Sequence, residues 1–592
     1  MHVWVWAPRA QRSVEVVVGD GGNGERRVAL APVPADADAG RGPGRWAGEV
    51  AGLGPGDDYA FSVDGGPPRP DPRSAHQPHG VHGPSRVVDH GAFAWSDADQ
   101  AWRGFHLPSA VLYELHVGTF SAAGTFVGAI EHLDHLVDLG VDAVELMPVV
   151  EFSGRRGWGY DGVDLWAPHD AYGGPDGLAA LVDACHQRGL GVLLDVVYNH
   201  LGPAGNHLAT FGPYFTDRHH TNWGEAVNVD GPGSDEVRAF VVENALMWLR
   251  DLHVDGLRID AVHAIVDESA RPVLEQLADS VRALAAHLGR PLWLIAESDR
   301  NDPRYVRPSA LGGHGLDAGW ADEWHHALHA VLTGERSGYY AEFGSYALLA
   351  KALRQAWAFD GTYSPHRDRT HGRSPLGLPG AAFVVAAQNH DQVGNRAGGD
   401  RLGARVSPGR LQVAAALLLT APFVPLLFQG EEWGASTPFL YFTDHEDPQL
   451  GRAVSEGRRR EFAHFGWDPT AVPDPQAVDT FQRSILRWDE PDAPAHAGLL
   501  AWHRALVALR RAHPALTTAP AGSPTVTYDE DAAWLVVHRG PVAVAVNLAP
   551  AAQPVPVAPS APGTLLLASS PEVALTPTGV TLPPDSVAIV EA

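Results

Sequence analysis

Val254-Asp-Gly-Leu-Arg-Ile-Asp260 is a short apolar run bracketed by acids. Residues two apart on a strand share a face, so Arg258 and Asp260 point the same way. Three further stretches follow the same plan: Asp195-Val-Val-Tyr-Asn-His200, Ile295-Ala-Glu297 and Gln388-Asn-His390-Asp391. Each ends or follows an apolar run that reads as a β-strand. Each carries a carboxylate at or just past that strand's C-terminal end. A lone acid in such a place is more often a loop cap or a solvated group. Four of them in one alternating pattern point to a shared pocket, because side chains at the strand ends of a (β/α)8 barrel converge.

The pattern around these stretches supports a barrel. From about 108 to 490 short apolar runs alternate with amphipathic segments, which implies a parallel sheet. The candidate strands are 111–117, 143–147, 191–195, 254–259, 292–296, a weaker one near 315–320, 383–386 and 425–428. Between them, 130–139 has helical spacing of apolar residues, and Pro175 suits the first turn of a helix that continues through Cys185. Ser234-Asp-Glu reads as the capped start of a helix reaching Leu252. The stretch from Asn199 to Gly233 is too long for a simple strand-to-helix loop. It is expected to form a small subdomain walling the cleft, with Tyr214, Phe215 and Trp223.

Both flanks read as β-structure. Val3-Trp-Val-Trp6 and Val14-Glu-Val-Val-Val18 are β-branched or aromatic runs separated by Gly-rich turns. After about 522, Trp534-Leu-Val-Val-His538 and Pro541-Val-Ala-Val-Ala-Val546 suggest antiparallel strands. The expected architecture is multidomain α/β: an Ig-like β-sandwich over 1–95, a (β/α)8 TIM barrel over 96–515 with an insertion at about 199–233, and a β-domain over 516–592.

Composition narrows the partners. The 592 residues carry a net charge of −27. That argues against nucleic acid and against anionic membranes, and it is compatible with a neutral substrate such as a sugar. Cys185 is the only cysteine, so no intrachain disulfide is possible. The start, Met1-His-Val-Trp-Val-Trp6, lacks a basic segment followed by a long apolar one, and the longest apolar stretch, 413–428, is broken by Pro422 and Pro425. A soluble, cytoplasmic protein is the expectation.

In the barrel reading, three of the carboxylates meet around one bond, the arrangement that acid-catalysed glycoside cleavage requires. Arg258 beside Asp260 favours an ionised nucleophile. Glu297 follows the apolar run Leu292 to Ala296 and is suited to hold a proton for a leaving oxygen. His390 and Asp391 can hydrogen-bond vicinal hydroxyls, and Tyr160 can stack on a pyranose face. His200 and His263 have no accompanying zinc-type spacing, and no Asp-x-Asp-x-Asp-Gly loop signals calcium, so no metal is expected.

These segments resemble the four motifs of the α-amylase superfamily of retaining α-glycosidases. The resemblance implies Asp260 as nucleophile, Glu297 as general acid/base and Asp391 as a third carboxylate that distorts the sugar. It implies that Arg258 positions the nucleophile and that Tyr160, His200 and His390 contact the sugar, with Asp195 among the substrate-binding set. His263 stands where many starch-cleaving members have Lys-His at the adjoining positions, which counts against plain α-amylase activity.

Longer strings are similar to the trehalohydrolases of that superfamily. They are 113–120, 154–162, 260–265, 388–395 and 430–439, together with His325-His-Ala-Leu-His329 and Leu332-Thr-Gly-Glu-Arg336. The similarity implies hydrolysis of the α-1,4 bond next to the terminal trehalose of a trehalose-capped malto-oligosaccharide, without an external cofactor. It also implies a functional pairing with the enzyme that makes this substrate. Loops after the fourth to sixth strands are expected to supply the leaving-side contacts: His263, Asp299, Asn301, Asp322 and Glu323. Three alternatives stay open: a glycogen branching enzyme, an α-amylase-type hydrolase and an inactive glucan-binding scaffold. A capping role for Asp322 and Glu323 at the following helix is also open.

Overall fold

The computed structural model describes residues 1–19, 25–34, 42–464, 472–557 and 563–591. Eight strands close into a parallel barrel: β1 (Leu112–Leu115), β2 (Ala143–Leu146), β3 (Gly191–Val196), β4 (Gly256–Ile259), β5 (Trp293–Ala296), β6 (Ala318–Trp320), β7 (Phe383–Ala386) and β8 (Val424–Phe428). All eight expected strands form, including the weak sixth, which contracts to three residues. Nearly every residue in them is buried, because helices cover the outside and side chains fill the inside.

Alternation along each strand sorts the side chains. Leu112, Ala143, Leu193, Ile295, Ala318, Val384, Ala386 and Leu426 pack together inside the barrel. Residues two positions on share that inward face: Glu114, Glu145, Asp195, Glu297 and Trp320. The barrel interior therefore changes from hydrocarbon at its floor to acids, a guanidinium and an indole near its C-terminal rim. Phe105, Leu107 and Ala110 plug the floor.

Helices follow the expected order with local changes. The 130–139 segment is two helices, Phe126–Ile130 and Leu133–Leu139; the chain leaves helical geometry at His132 (φ −112°, ψ 4°) between them. Pro175 does lie in the first turn of a helix, Gly174–Gln187. The helix Ser234–Arg250 is entered from Gly233 in the left-handed region (φ 80°), and no side chain caps it, so Ser234 opens the helix without capping it. The 199–233 stretch holds a short helix, Leu208–Phe211, and a hairpin pairing Phe215–Thr221 with Gly224–Val227.

Before the barrel, a three-stranded and a four-stranded antiparallel sheet share buried Val3, Val5, Val14, Val16 and Phe61 with the main core. After it come a five-stranded antiparallel sheet, built on Trp534–Arg539, Val542–Asn547 and Ser586–Glu591, and a three-stranded one. Their shared core includes Val536, Val555, Val580, Leu582 and Val590. Among the described residues, no helix is long and apolar enough to cross a membrane.

Candidate active site

Asp195 on β3 and Arg258 on β4 are register partners. Arg258 Nη1 donates to both Asp195 oxygens (2.8 and 2.7 Å) and to Asp260 Oδ1 (2.9 Å). Its guanidinium lies over the Trp320 ring at 4.4 Å and is almost fully buried. Asp260 receives a second bond from Asn199 Nδ2 to Oδ2 (2.6 Å), and the same amide holds the Asp260 carbonyl (3.0 Å). One carboxylate oxygen is thus aimed by a cation and the other by an amide, which fixes the side chain's direction.

Past Asp260 the chain turns through Ala261, a non-glycine residue in the left-handed region (φ 39°). That strained turn points the Ala261 N–H at Glu297 Oε2, which accepts it at 2.5 Å. Arg258 Nη2 lies 3.8 Å from the same Glu297 oxygen, whose side chain is 13 % exposed. Burial raises Glu297 well above the usual carboxylate range; Arg258 opposes this, while Asp260, Asp322 and Asp391 add to it. This environment favours the protonated form of Glu297. Asp195 is pushed up to about 6 by burial, with Arg258 pulling against it.

A second set of residues closes the opposite wall. The Tyr160 hydroxyl donates to Asp195 Oδ2 (2.6 Å) and meets His390 Nε2 at 2.8 Å. Burial opposes the imidazolium form of His390, but Glu114 and Asp391 outweigh it and lift the ring to about 9. Asp391 is half-exposed, with Oδ1 3.5 Å from His390 Nε2 and 3.2 Å from Asn395 Nδ2. His200 is anchored through Nε2 to the Tyr160 carbonyl (3.0 Å), and Trp223 from the hairpin stacks on it at 4.5 Å.

Together these groups line a cleft of about 290 Å³ that contains Tyr160, His200, Asp260, His263, Glu297, His390 and Asp391. Trp223 and Tyr441 supply apolar faces, Trp158 and Phe442 back that wall from a buried cluster, and Thr443 and Asp161 supply polar edges. A few convergent polar groups among aromatic faces suit a sugar ring.

The expected leaving-side residues divide. His263 reaches the cleft and its Nε2 lies 3.8 Å from Asp299, which is exposed. Asp322 is pushed up to about 7 by burial, with Asp391 adding, and accepts weakly from Gln392 (3.5 Å). Asn301 and Glu323 are both buried and turned to another loop. Glu323 Oε2 accepts the N–H groups of Ala358 and Phe359 (both 2.8 Å), and Asn301 Nδ2 donates to the Phe359 carbonyl (2.9 Å). Neither Asp322 nor Glu323 caps its helix, since the cap position, Ala321, has no side-chain bond.

Tyr214 is also redirected. It is buried against Trp6 (5.3 Å) and Phe240 (5.4 Å), so it joins the insertion to the N-terminal strands and not to the cleft. Two residues escaped the sequence reading, Glu114 and Glu145, which are register partners on β1 and β2. Their signal was present: an acid two residues after Leu112 and Ala143 on strands buried on both faces. Glu145 is raised well above the carboxylate range by burial and by Glu114 beside it.

Among the described residues one group, His219, Asp230 and Glu268, brings three ligand-type atoms within 4.8 Å. Arg218 ion-pairs with Glu268 and lies 3.9 Å from Asp230, so a protein cation already serves that cluster.

Residues 91–212 match the family described as alpha amylase, catalytic domain, and residues 521–589 match a domain of unknown function, DUF3459. A protein of Arthrobacter ramosus named malto-oligosyltrehalose trehalohydrolase is 53 % identical, covering 92 % of each chain. One of the same name from Mycobacterium tuberculosis is 50 % identical over 83 % of this chain and 85 % of its own. A solved structure from Salmonella typhimurium, named as an alpha amylase, superposes with a TM-score of 0.89 at 39 % identity, covering 100 % of this chain and 97 % of that one.

Proposed function

Because the chain belongs to the malto-oligosyltrehalose trehalohydrolase family of α-amylase-type glycosidases, we propose that its cleft cleaves the α-1,4 bond next to a terminal trehalose in two displacements at one anomeric carbon. The observation that carries the chemistry is the unequal environment of two neighbouring acids. Asp260 is held by Arg258 and Asn199, whereas Glu297, equally screened from solvent, has a single N–H donor.

In the first step Asp260 Oδ attacks the anomeric carbon as the bond to the leaving oxygen breaks. Glu297 gives its proton to that oxygen, and trehalose departs. In the second step the Glu297 carboxylate takes a proton from water, the water oxygen attacks the same carbon, and the bond to Asp260 breaks. Asp260 is freed, Glu297 is protonated again, and the malto-oligosaccharide leaves with its α configuration retained. Asp391 and His390 hold hydroxyls of the reacting sugar, Tyr160 and Trp223 offer ring faces, and His263, Asp299 and Asp322 face the leaving side. Glucan units on the non-leaving side rest against Tyr441, which buried Trp158 and Phe442 support from behind.

Residues 1–95, 96–515 and 516–592 are separate domains, with the 199–233 insertion as a wall of the cleft. The enzyme works in the cytoplasm on the product of an enzyme that caps malto-oligosaccharides with trehalose.

Product analysis on maltotriosyl-trehalose beside maltopentaose tests the reading. Rapid release of free trehalose with slow attack on maltopentaose is the expected result. Equal attack on both would make the protein a general α-glucan hydrolase, and new α-1,6 linkages would make it a branching enzyme. Proton NMR of the first-formed reducing end should show the α-anomer; an initial β-anomer would falsify the double displacement.

A further inference from the structure

We propose that Glu114, on the first barrel strand and outside the cleft, is a positioning residue that holds His390 as a doubly protonated imidazolium facing the sugar. Glu114 grips His390 twice: Oε1 accepts Nδ1–H at 2.5 Å, and Oε2 accepts the backbone N–H at 2.9 Å. Both side chains are almost fully buried. Ring and backbone are therefore set by one carboxylate, and the ring cannot turn without breaking its Nδ1 bond.

Counting protons fixes the state of the ring. The Tyr160 hydroxyl has one proton, and it goes to Asp195 Oδ2 at 2.6 Å. Its oxygen must then accept from His390 Nε2 at 2.8 Å, so Nε2 carries a proton. On the other side Nδ1 faces an acceptor, so it carries one too. The result is a chain of alternating donors and acceptors running from Glu114 through His390, Tyr160, Asp195 and Arg258 to Asp260. Every link in it is 2.5–2.9 Å.

The other charged or titratable groups around His390 come from several elements. Glu145 lies beside Glu114 on β2, with one carboxylate oxygen unpartnered. Arg258 lies on β4, His116 follows β1, and Asp391 follows His390 itself. Glu114 and Asp391 favour the charged ring, while Arg258 opposes it. His116, brought down to about 4 by burial, stays neutral and leaves the balance to the acids. A fixed cation at His390 keeps Nε2 a donor, able to share its proton between Tyr160 and a sugar hydroxyl while the ring stays in place.

The activity readout rests on the proposed function; the ring readout does not. Protein with 15N-labelled histidine is compared by proton–nitrogen correlation NMR at pH 7.5, with His390 assigned as the signal lost in His390→Asn. The parent should show both ring nitrogens protonated. Glu114→Gln should show one, lower kcat roughly 10- to 100-fold, and move the alkaline fall of kcat to lower pH. Glu114→Asp, which keeps the charge, should recover the doubly protonated ring and part of the rate. In a His390→Asn background, Glu114→Gln should lower kcat no further. A singly protonated His390 in the parent overturns the proposal even if Glu114→Gln does not fold. An unchanged ring in Glu114→Gln, or an equal loss of kcat in the His390→Asn background, also overturns it. A parent that releases no trehalose removes the functional reading and leaves the ring result standing.

Discussion

Asp260 and Glu297 are similar acids that the fold sets to different uses. Asp260 is tied at one oxygen to a guanidinium and at the other to an amide. Glu297 is buried with one backbone donor, and its proton affinity rises. Asp260→Asn should abolish turnover, with folding intact by circular dichroism; an active variant would exclude Asp260 as nucleophile. Glu297→Gln should do the same while glucan binding, measured by calorimetry, persists. It also has a stability signature. A carboxyl whose folded pKa lies above its unfolded one contributes least once pH exceeds both values, because folding must then keep a proton or bury a charge. Its favourable share is complete below the unfolded value, near 4.5, and is lost as pH rises. Glu297→Gln is therefore expected to melt above the parent at pH 8, with the difference shrinking toward pH 4.5. The opposite trend would mean that Glu297 is ionised in the folded state.

Elements matter here for where they deliver side chains. The hairpin Phe215–Thr221 with Gly224–Val227 exists at one end to place Trp223 against His200, half-exposed and parallel to the ring at 4.5 Å. Trp223→Ala should raise KM for maltotriosyl-trehalose about fivefold, on the order of 1 kcal/mol of stacking, with little change in melting temperature. A lowered melting temperature with unchanged KM would make the tryptophan structural. The loop at 357–359 is built differently, since Glu323 and Asn301 satisfy its backbone from beneath. Glu323→Ala strands two buried N–H groups at about 1 to 3 kcal/mol each. It should destabilise the fold in urea titrations and alter KM only indirectly. A normal urea midpoint with a large KM effect would return Glu323 to the leaving side.

At the scale of the molecule, arginines hold units together. Arg510 donates to the carbonyls of Leu419, Ala421, Phe423 and Leu516, joining the helix Pro494–Ala512 to the approach to β8. Arg510→Met should cost on the order of 3 kcal/mol in unfolding experiments, because acceptors are left buried without a donor. Arg45 binds both oxygens of Glu236 (2.9 and 3.0 Å), fastening the N-terminal strands to the helix Ser234–Arg250. Alternation and strand-end acids made the barrel, Asp195, Arg258, Asp260, Glu297, His390 and Asp391 readable in the chain itself, because period-two patterning decides which side chains share a face. Apolar periodicity also located the flanking β-structure. What the chain alone determined stops there. That Asn301 and Glu323 face a buried loop, that Tyr214 faces the N-terminal strands, and that Glu114 lies under His390 were decided only by the tertiary structure. Each depends on a partner far away in sequence, and no local spacing encodes which loop will lie across a given side chain once the barrel closes.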